Sequence, residues 1–351
     1  MSLSVPDFIR LRQDHAVVDV RSPDEFETGH IRGAINIPLL NNEERVVVGT
    51  AYKIRGPIEA IKEGFRLVGP RLHDIINEAE KVSKGNEILV HCWRGGMRSN
   101  NFCEFVSMAR IRSQVLVGGY KAYRQQALES FKKPLSIILI GGCTGSGKSE
   151  ILHVLKARGE QVLDLEALAS HKGSAFGGLF MPPQPTTEQF QNELFEEILK
   201  LDLSKRVWVE DESLAIGKVF LPNDLWLRMR QSPLVQMDVP KEVRIERLVN
   251  EYGAADHEAF SQIMGKIERK LGGQNLKAAR ERLFQGDMGS TIDILLTYYD
   301  KAYLESIGKR KDRLIKTIEW NGENTENVVY ELLNTKSGSE FTGFGILGKA
   351  I

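Results

Sequence analysis

The run SIILIGGCTGSGKSE, Ser136 to Glu150, restricts the fold of this chain more than any other stretch. An apolar strand feeds directly into Gly142-Cys-Thr-Gly-Ser-Gly147-Lys148-Ser149, and SEILHVLKARG then reads as a helix stopped by Gly159. The pattern G-x-x-x-x-G-K-[ST] between a strand and a helix is a phosphate cradle at the edge of an α/β sheet. Gly142, Gly145 and Gly147 let the backbone curl, so that its amides, with Thr144 and Ser146 among them, converge on a di- or triphosphate. Lys148 reaches the terminal oxygens of such a group, and Ser149 is placed to ligate Mg²⁺.

A second loop lies upstream. In NEILVHC a buried strand ends at His91-Cys92. The octet HCWRGGMR then runs to Arg98, and RSNNFCEFVSMAR continues as a helix with Phe102, Phe105, Val106 and Ala109 on one side. Cys92 therefore stands at a strand end facing a helix N-terminus. Consecutive backbone N–H groups, the helix dipole and the guanidinium groups of Arg94 and Arg98 all favour a thiolate there. Gly95 and Gly96 are expected to turn those amides inward. Cys92, Arg94 and Arg98 are thus the candidate catalytic residues.

The chain of 351 residues is long enough for two cores, and Lys132-Lys-Pro134 marks the boundary between residues 1–130 and 131–351. Forty-seven basic side chains balance forty-seven acidic ones, so a nucleic-acid partner would have to bind a local patch. Basic density rises in Lys266–Leu283 and in Gly308–Lys316, which are either nucleic-acid-backbone contacts or ordinary solvated faces. Three cysteines without paired spacing argue against a disulfide scaffold or zinc site and for a reducing compartment. No membrane span or signal peptide is evident, so the expected location is cytoplasmic.

Strands alternate with helices in both halves, which predicts α/β layers with a mostly parallel sheet. AVVDVR is a strand, Ser22-Pro-Asp-Glu25 a capping box, and GHIRGAINIP a short returning strand. Leu40 to Pro57 reads as irregular, and a helix then ends near Lys84. SQVLVGGY is a strand and turn. After the phosphate loop, QVLDLE, RVWVEDES and LVQMDVP are strands, and KEVRIERLVNEYG is a helix. The tail SGSEFTGFGILGKAI is expected to be loosely ordered.

Asp211, at the end of an apolar strand, has the position of a Walker-B carboxylate and joins Ser149 as a candidate Mg²⁺ ligand; Asp164 is a weaker one. His171, Lys172 and Ser174 lie in a glycine- and proline-rich loop on the ligand side of the sheet, as phosphate-site residues or as plain surface. Arg244 and Arg247 are either phosphate contacts or a solvated helix face. His91 reads as a satisfied strand-end residue, Cys103 as core and Cys143 as small filler.

The N-terminal third resembles a rhodanese domain: DVRSPDEFETGHIRGAINIP, Asp19 to Pro38, matches that family's entry motif, and Cys92 falls where its catalytic cysteine belongs. Rhodaneses place the closing arginine five residues after the cysteine, whereas Arg98 is six after Cys92. That wider H-C-x5-R loop is the length found in cysteine phosphatases and suits phosphate or selenophosphate. Over nearly its whole length the chain resembles the tRNA 2-selenouridine synthase family. The resemblance rests on CWRGGMRS (Cys92 to Ser99), GGCTGSGKS (Gly141 to Ser149), DLEALASHKGSAFG (Asp164 to Gly177) and VEDES (Val209 to Ser213). Lys172 stands where arginine is more usual. The resemblance implies a rhodanese-like domain followed by a P-loop NTPase-like parallel-sheet domain with a C-terminal helical extension. It implies a transferase that converts 2-thiouridine at the tRNA wobble position to 2-selenouridine through an S-geranylated intermediate. Geranyl diphosphate and selenophosphate would be co-substrates, with no tightly bound cofactor. The competing reading is a rhodanese-like cysteine phosphatase fused to a P-loop small-molecule kinase.

Overall fold

The structure is a computed structural model that describes residues 2–335; the glycine-rich tail lies outside the described residues. It divides into two compact units, Met1–Phe131 with Gln191–Glu196, and Lys132–Phe190 with Glu197–Ile351. The six-residue return segment belongs to the first unit through bonds such as Arg12 to Glu196 and Tyr123 Oη to Glu196 Oε1 at 2.6 Å.

The first unit is built on a five-stranded sheet. Its strands are β1 (Ser2–Leu3), β2 (Val17–Asp19), β3 (Ala34–Asn36), β4 (Ile88–His91) and β5 (Ser113–Leu116), in the order β1-β5-β4-β2-β3 with every pairing parallel. Parallel strands covered on both faces read as unbroken apolar runs, and all of β2 and β4 is buried. Val18, Val20, Val90, Phe102 and Val106 form the core beneath the helix Met97–Met108.

The second unit repeats the scheme with β6 (Ser136–Gly142), β7 (Gln161–Leu163), β8 (Arg206–Glu210), a small hairpin of β9 (Ala215–Ile216) and β10 (Val219–Phe220), β11 (Leu234–Asp238) and β12 (Leu314–Glu319). Its main sheet has the order β12-β11-β6-β8-β7, again wholly parallel. The carboxyl ends of such strands open on one edge, the usual seat of ligands in α/β sheets. A helical layer from His257 to Gly308 adds its own core around Phe260, Met264, Leu283, Ile292 and Leu296.

The stretch expected to be irregular is largely helical. Asn42–Arg55 is a helix whose Asn41 cap accepts from Glu44 N at 2.8 Å while Glu44 answers to Asn41 N, a complete capping box. The valine run and Gly49 hide it, because β-branched residues and glycine lower helix propensity. The expected single helix before Lys84 is two, Pro57–Val68 and Leu72–Ser83, separated by a short 3-10 turn at Gly69–Arg71 that contains Pro70. Strand β12 and the helix Thr325–Leu333 are additions to the sequence reading, and β12 runs through part of the second basic segment. No helix among the described residues is long and apolar enough to cross a membrane.

Candidate functional site

Two loops, one in each unit, sit at carboxyl ends of central strands. In the first unit Cys92 follows β4 and is 3% exposed. Gly95 has φ +64, and a Cβ there would lie 2.4 Å from Leu116 O; Gly119, φ +59, would put one 2.4 Å from Cys92 O and Gly95 N. The two glycine turns therefore pack backbone against backbone, and no other residue fits at either position. Gly96 is different: its φ is −107 and a Cβ would meet nothing within 4 Å, so only Gly95 is required for the curl. Tyr120 N and Lys121 N donate to the carbonyls of Cys92 and Trp93 at 2.9 Å, tying the loop to the first turn of the helix Gly119–Ser130. Burial alone would raise the Cys92 thiol. The Ser99 hydroxyl, 3.3 Å from Sγ, and the backbone amides of Ser99, Arg94 and Gly96 outweigh it and hold the thiol below its ordinary value. The anion-cradling character of this loop is thus a matter of hydrogen bonds more than of nearby cations.

The arginines divide. Arg98 lies in the first turn of the helix and is held by Glu25, with Nη1 2.6 Å from Oε2 and Nη2 3.3 Å from Oε1. Arg94 is exposed and has no ion pair among the described residues. Glu25 was legible in the sequence only as a capping-box residue. It does close that box, Ser22 N donating at 3.2 Å, and it also accepts from Arg45 Nε at 3.0 Å. Although burial raises the Glu25 carboxyl, these partners, Arg98 first, bring it down to about 2. Its ordinary value is 4.5, so its ion pairs stabilise the fold fully above pH 4.5 and are lost as the pH falls through about 2. Glu25→Gln is expected to cost roughly 1.5–3 kcal/mol at neutral pH. The gap from the parent in urea unfolding should shrink as the pH drops from 4.5 towards 2; a gap that stays constant would show that the charge pair contributes nothing.

Beneath the loop, Asp19 and Arg21 form a fully buried pair at 2.6 Å, with Arg21 3.8 Å over the Tyr120 ring. His91 is fully buried, and neither ring nitrogen has a hydrogen-bond partner; Asp19 Oδ2 is 3.7 Å away. The expectation of a satisfied histidine is therefore not met, and burial holds the ring below its ordinary value, in the neutral form.

In the second unit Gly142 (φ +157), Gly145 (φ +83) and Gly147 (φ +73) all have the backbone that glycine alone adopts readily. Lys148 opens the helix Lys148–Ala157, and its Nζ lies 3.2 Å from Gly142 O, over the loop. Ser146 Oγ is buried without a partner, as suits a hydroxyl lining a cradle. Arg244 and Arg247 are not a solvated face. Arg244 is buried, bonds both oxygens of Asp300 at 2.8 Å and reaches Thr144 O at 3.3 Å; Arg247 bonds Glu150 at 2.7 Å and stacks on Trp320.

The acid beside Ser149 is not Asp211. Both Asp211 oxygens are engaged by Arg310 at 2.7 Å in a buried bidentate pair, whereas Ser149 Oγ donates to Glu166 Oε2 at 3.1 Å. Glu212 adjoins Glu166, and burial together with the Glu166 charge pushes its carboxyl up to about 8. Asp164 is a helix cap, accepting from Ala167 N at 2.8 Å. Ser149, Glu166 and Glu212 offer the hard oxygen donors that Mg²⁺ prefers. No group of three or more His, Cys, Asp or Glu among the described residues forms an all-protein cage, so such an ion would need oxygens from a bound phosphate.

The glycine- and proline-rich loop has no regular element between Ala169 and Thr187, as its composition implies. His171 is 8% exposed with Nδ1 unpartnered; Lys172 is ion-paired with Glu251; Ser174 Oγ accepts from Phe176 N at 3.2 Å. Ser174 and the phosphate-loop residue Thr144 also line a small cleft of about 20 Å³, whose other walls include Phe176, Leu248, Ile292 and Leu296. The sequence shows these apolar residues only as separate helix faces. Burial and Asp300 push the Cys143 thiol up to about 11, consistent with filler, and burial also raises Cys103.

A cysteine loop on a rhodanese-type parallel sheet, followed by a phosphate loop on a second parallel sheet, defines a rhodanese–P-loop fusion protein. Family comparison agrees: residues 4–126 match the rhodanese-like domain, and residues 135–336 match the tRNA 2-selenouridine synthase AAA domain. The chain belongs to the tRNA 2-selenouridine synthase family, whose members are tRNA-modifying enzymes. Among solved structures it is similar to the N-terminal domain of a Clostridium difficile 630 protein named for ATP/GTP binding (39% identity, 36% of this chain, 99% of that one, TM-score 0.35). It is also similar to a rhodanese-related protein of Thermoplasma volcanium (19% identity, 36% and 91%, TM-score 0.24) and to the BH2092 protein of Bacillus halodurans (18%, 36% and 72%, TM-score 0.22).

Proposed function

We propose that the two loops carry successive steps in converting wobble 2-thiouridine of tRNA to 2-selenouridine, with geranyl diphosphate and selenophosphate as co-substrates. In the first step the thiocarbonyl sulfur attacks C1 of the prenyl group. The S–C bond forms, the C–O bond to diphosphate breaks, and the N3 proton leaves. Lys148 and the loop amides take up charge on the departing diphosphate. A Mg²⁺ ion would neutralise further phosphate charge; Ser149, Glu166 and Glu212 would hold it. His171, Lys172 and Ser174 flank the donor.

The observation that carries this reading is the presence in one chain of two anion-cradling loops, the amide-lined loop of Cys92 and the glycine-turned loop under Lys148, each suited to the phosphate end of one co-substrate.

In the second step selenium attacks C2 of the S-prenyl base, and the C2–S bond breaks to release the prenyl thiolate, which takes a proton. The Cys92 thiolate receives the phosphoryl group as the P–Se bond breaks, and water then clears the thiophosphate as inorganic phosphate. Backbone amides of the Cys92 loop and Arg98 hold the phosphate end of the donor, and exposed Arg94 meets it on approach. The exposed cations Lys266, Arg269, Lys270, Lys277, Lys309 and Lys311 are the candidate tRNA-backbone contacts. The test sets prenylation of thiolated tRNA against turnover of ATP and of p-nitrophenyl phosphate. Prenylation without sustained ATP hydrolysis is expected; kinase and phosphatase turnover without tRNA modification would establish the phosphatase–kinase alternative.

A further inference from the structure

Beside the Cys92 loop the first unit carries a shallow apolar groove of about 100 Å³, of which the chemistry above uses only Arg98. It runs between the helices Asn42–Arg55 and Pro57–Val68 and the start of Met97–Met108, lined by Val48, Tyr52, Ile61, Phe65, Met97 and Arg98 among others. Several of these are unusually exposed for their type, with Tyr52 at 52%, Phe65 at 53% and Met97 at 51%. Arg98, ion-paired with Glu25, is the one charged side chain in the lining. The rest of the lining suits an uncharged hydrocarbon.

We infer that this groove seats the prenyl chain of the S-alkylated base during selenium transfer. The inference rests on the proposed two-step reading, and two points select this occupant. Met97 and Arg98, which line the groove, open the helix that directly follows the Cys92 loop, so the groove adjoins that loop. The leaving group in the second step is a thiol with a hydrocarbon tail, and it departs from the carbon that selenium attacks. Burial of hydrocarbon there makes the chain a handle by which the selenation site distinguishes an activated base from plain 2-thiouridine. The groove is then a specificity site for the second step.

The test uses full-length protein, selenophosphate and two tRNAs prepared beforehand, one carrying S-geranyl- and one S-methyl-2-thiouridine. Ile61→Glu places a charge in the groove at a position already 37% exposed, so the fold should survive; Ile61→Leu is the conservative control. The expected result is a rise of tenfold or more in KM for the geranylated tRNA with Ile61→Glu. The S-methyl tRNA should be used as by the parent, Ile61→Leu should behave as parent, and prenylation of thiolated tRNA should be unchanged. Equal losses on both tRNAs, or no loss on either, would overturn the inference, as would a change of oligomeric state by light scattering that accounts for the loss. If the parent itself selenates neither alkylated tRNA, the two-step reading fails, and that outcome is told apart by needing no variant.

Discussion

Cys92→Ser is expected to abolish selenium incorporation while leaving S-prenylation of 2-thiouridine close to the parent rate. The hydrogen bonds around Sγ hold the thiol below its ordinary value, whereas a serine hydroxyl in the same cradle stays protonated and far less nucleophilic. The geometry should survive, since the loop is fixed by backbone contacts through Gly95, Gly119, Tyr120 and Lys121 and not by the thiol. In cells the variant should accumulate S-prenylated tRNA. Equal loss of both activities in a folded variant would show that the two loops do not divide the work.

Lys148→Ala should produce the complementary defect. Removing the ammonium that lies over the phosphate loop takes away a preorganised positive charge where the diphosphate develops its own negative charge. The expected loss is about 2–4 kcal/mol of transition-state stabilisation, or roughly 30- to 1,000-fold in prenyl transfer. Selenation of tRNA prenylated beforehand should proceed normally. A Lys148→Ala protein that prenylates at the parent rate would remove the phosphate loop from the reaction.

Both loops were legible because each needs a fixed spacing of glycines and a cation between a strand and a helix, and that spacing lies in contiguous residues. What supports them was not. Glu25 precedes Arg98 by 73 residues, and only the fold brings the carboxylate to the guanidinium. Asp211 had the right place for a Walker-B acid, but Arg310, 99 residues later, occupies both its oxygens, and Glu166 stands beside Ser149 instead. The helix Asn42–Arg55 was obscured by local propensity, although its Asn41–Glu44 box was present in the sequence. The apolar cleft and groove escaped for a different reason: their walls come from several helices, each of which by itself looks like an ordinary core-facing stripe.

The most direct test of the central claim is nucleoside mass spectrometry in two stages on one sample. Thiolated tRNA is incubated with the protein and geranyl diphosphate, and selenophosphate is added afterwards. S-geranyl-2-thiouridine should form in the first stage and be consumed in the second, with 2-selenouridine rising in step and free geranylthiol released. Formation of 2-selenouridine from unprenylated 2-thiouridine without any geranyl donor would contradict the claim, because the phosphate loop would then have no part in the reaction.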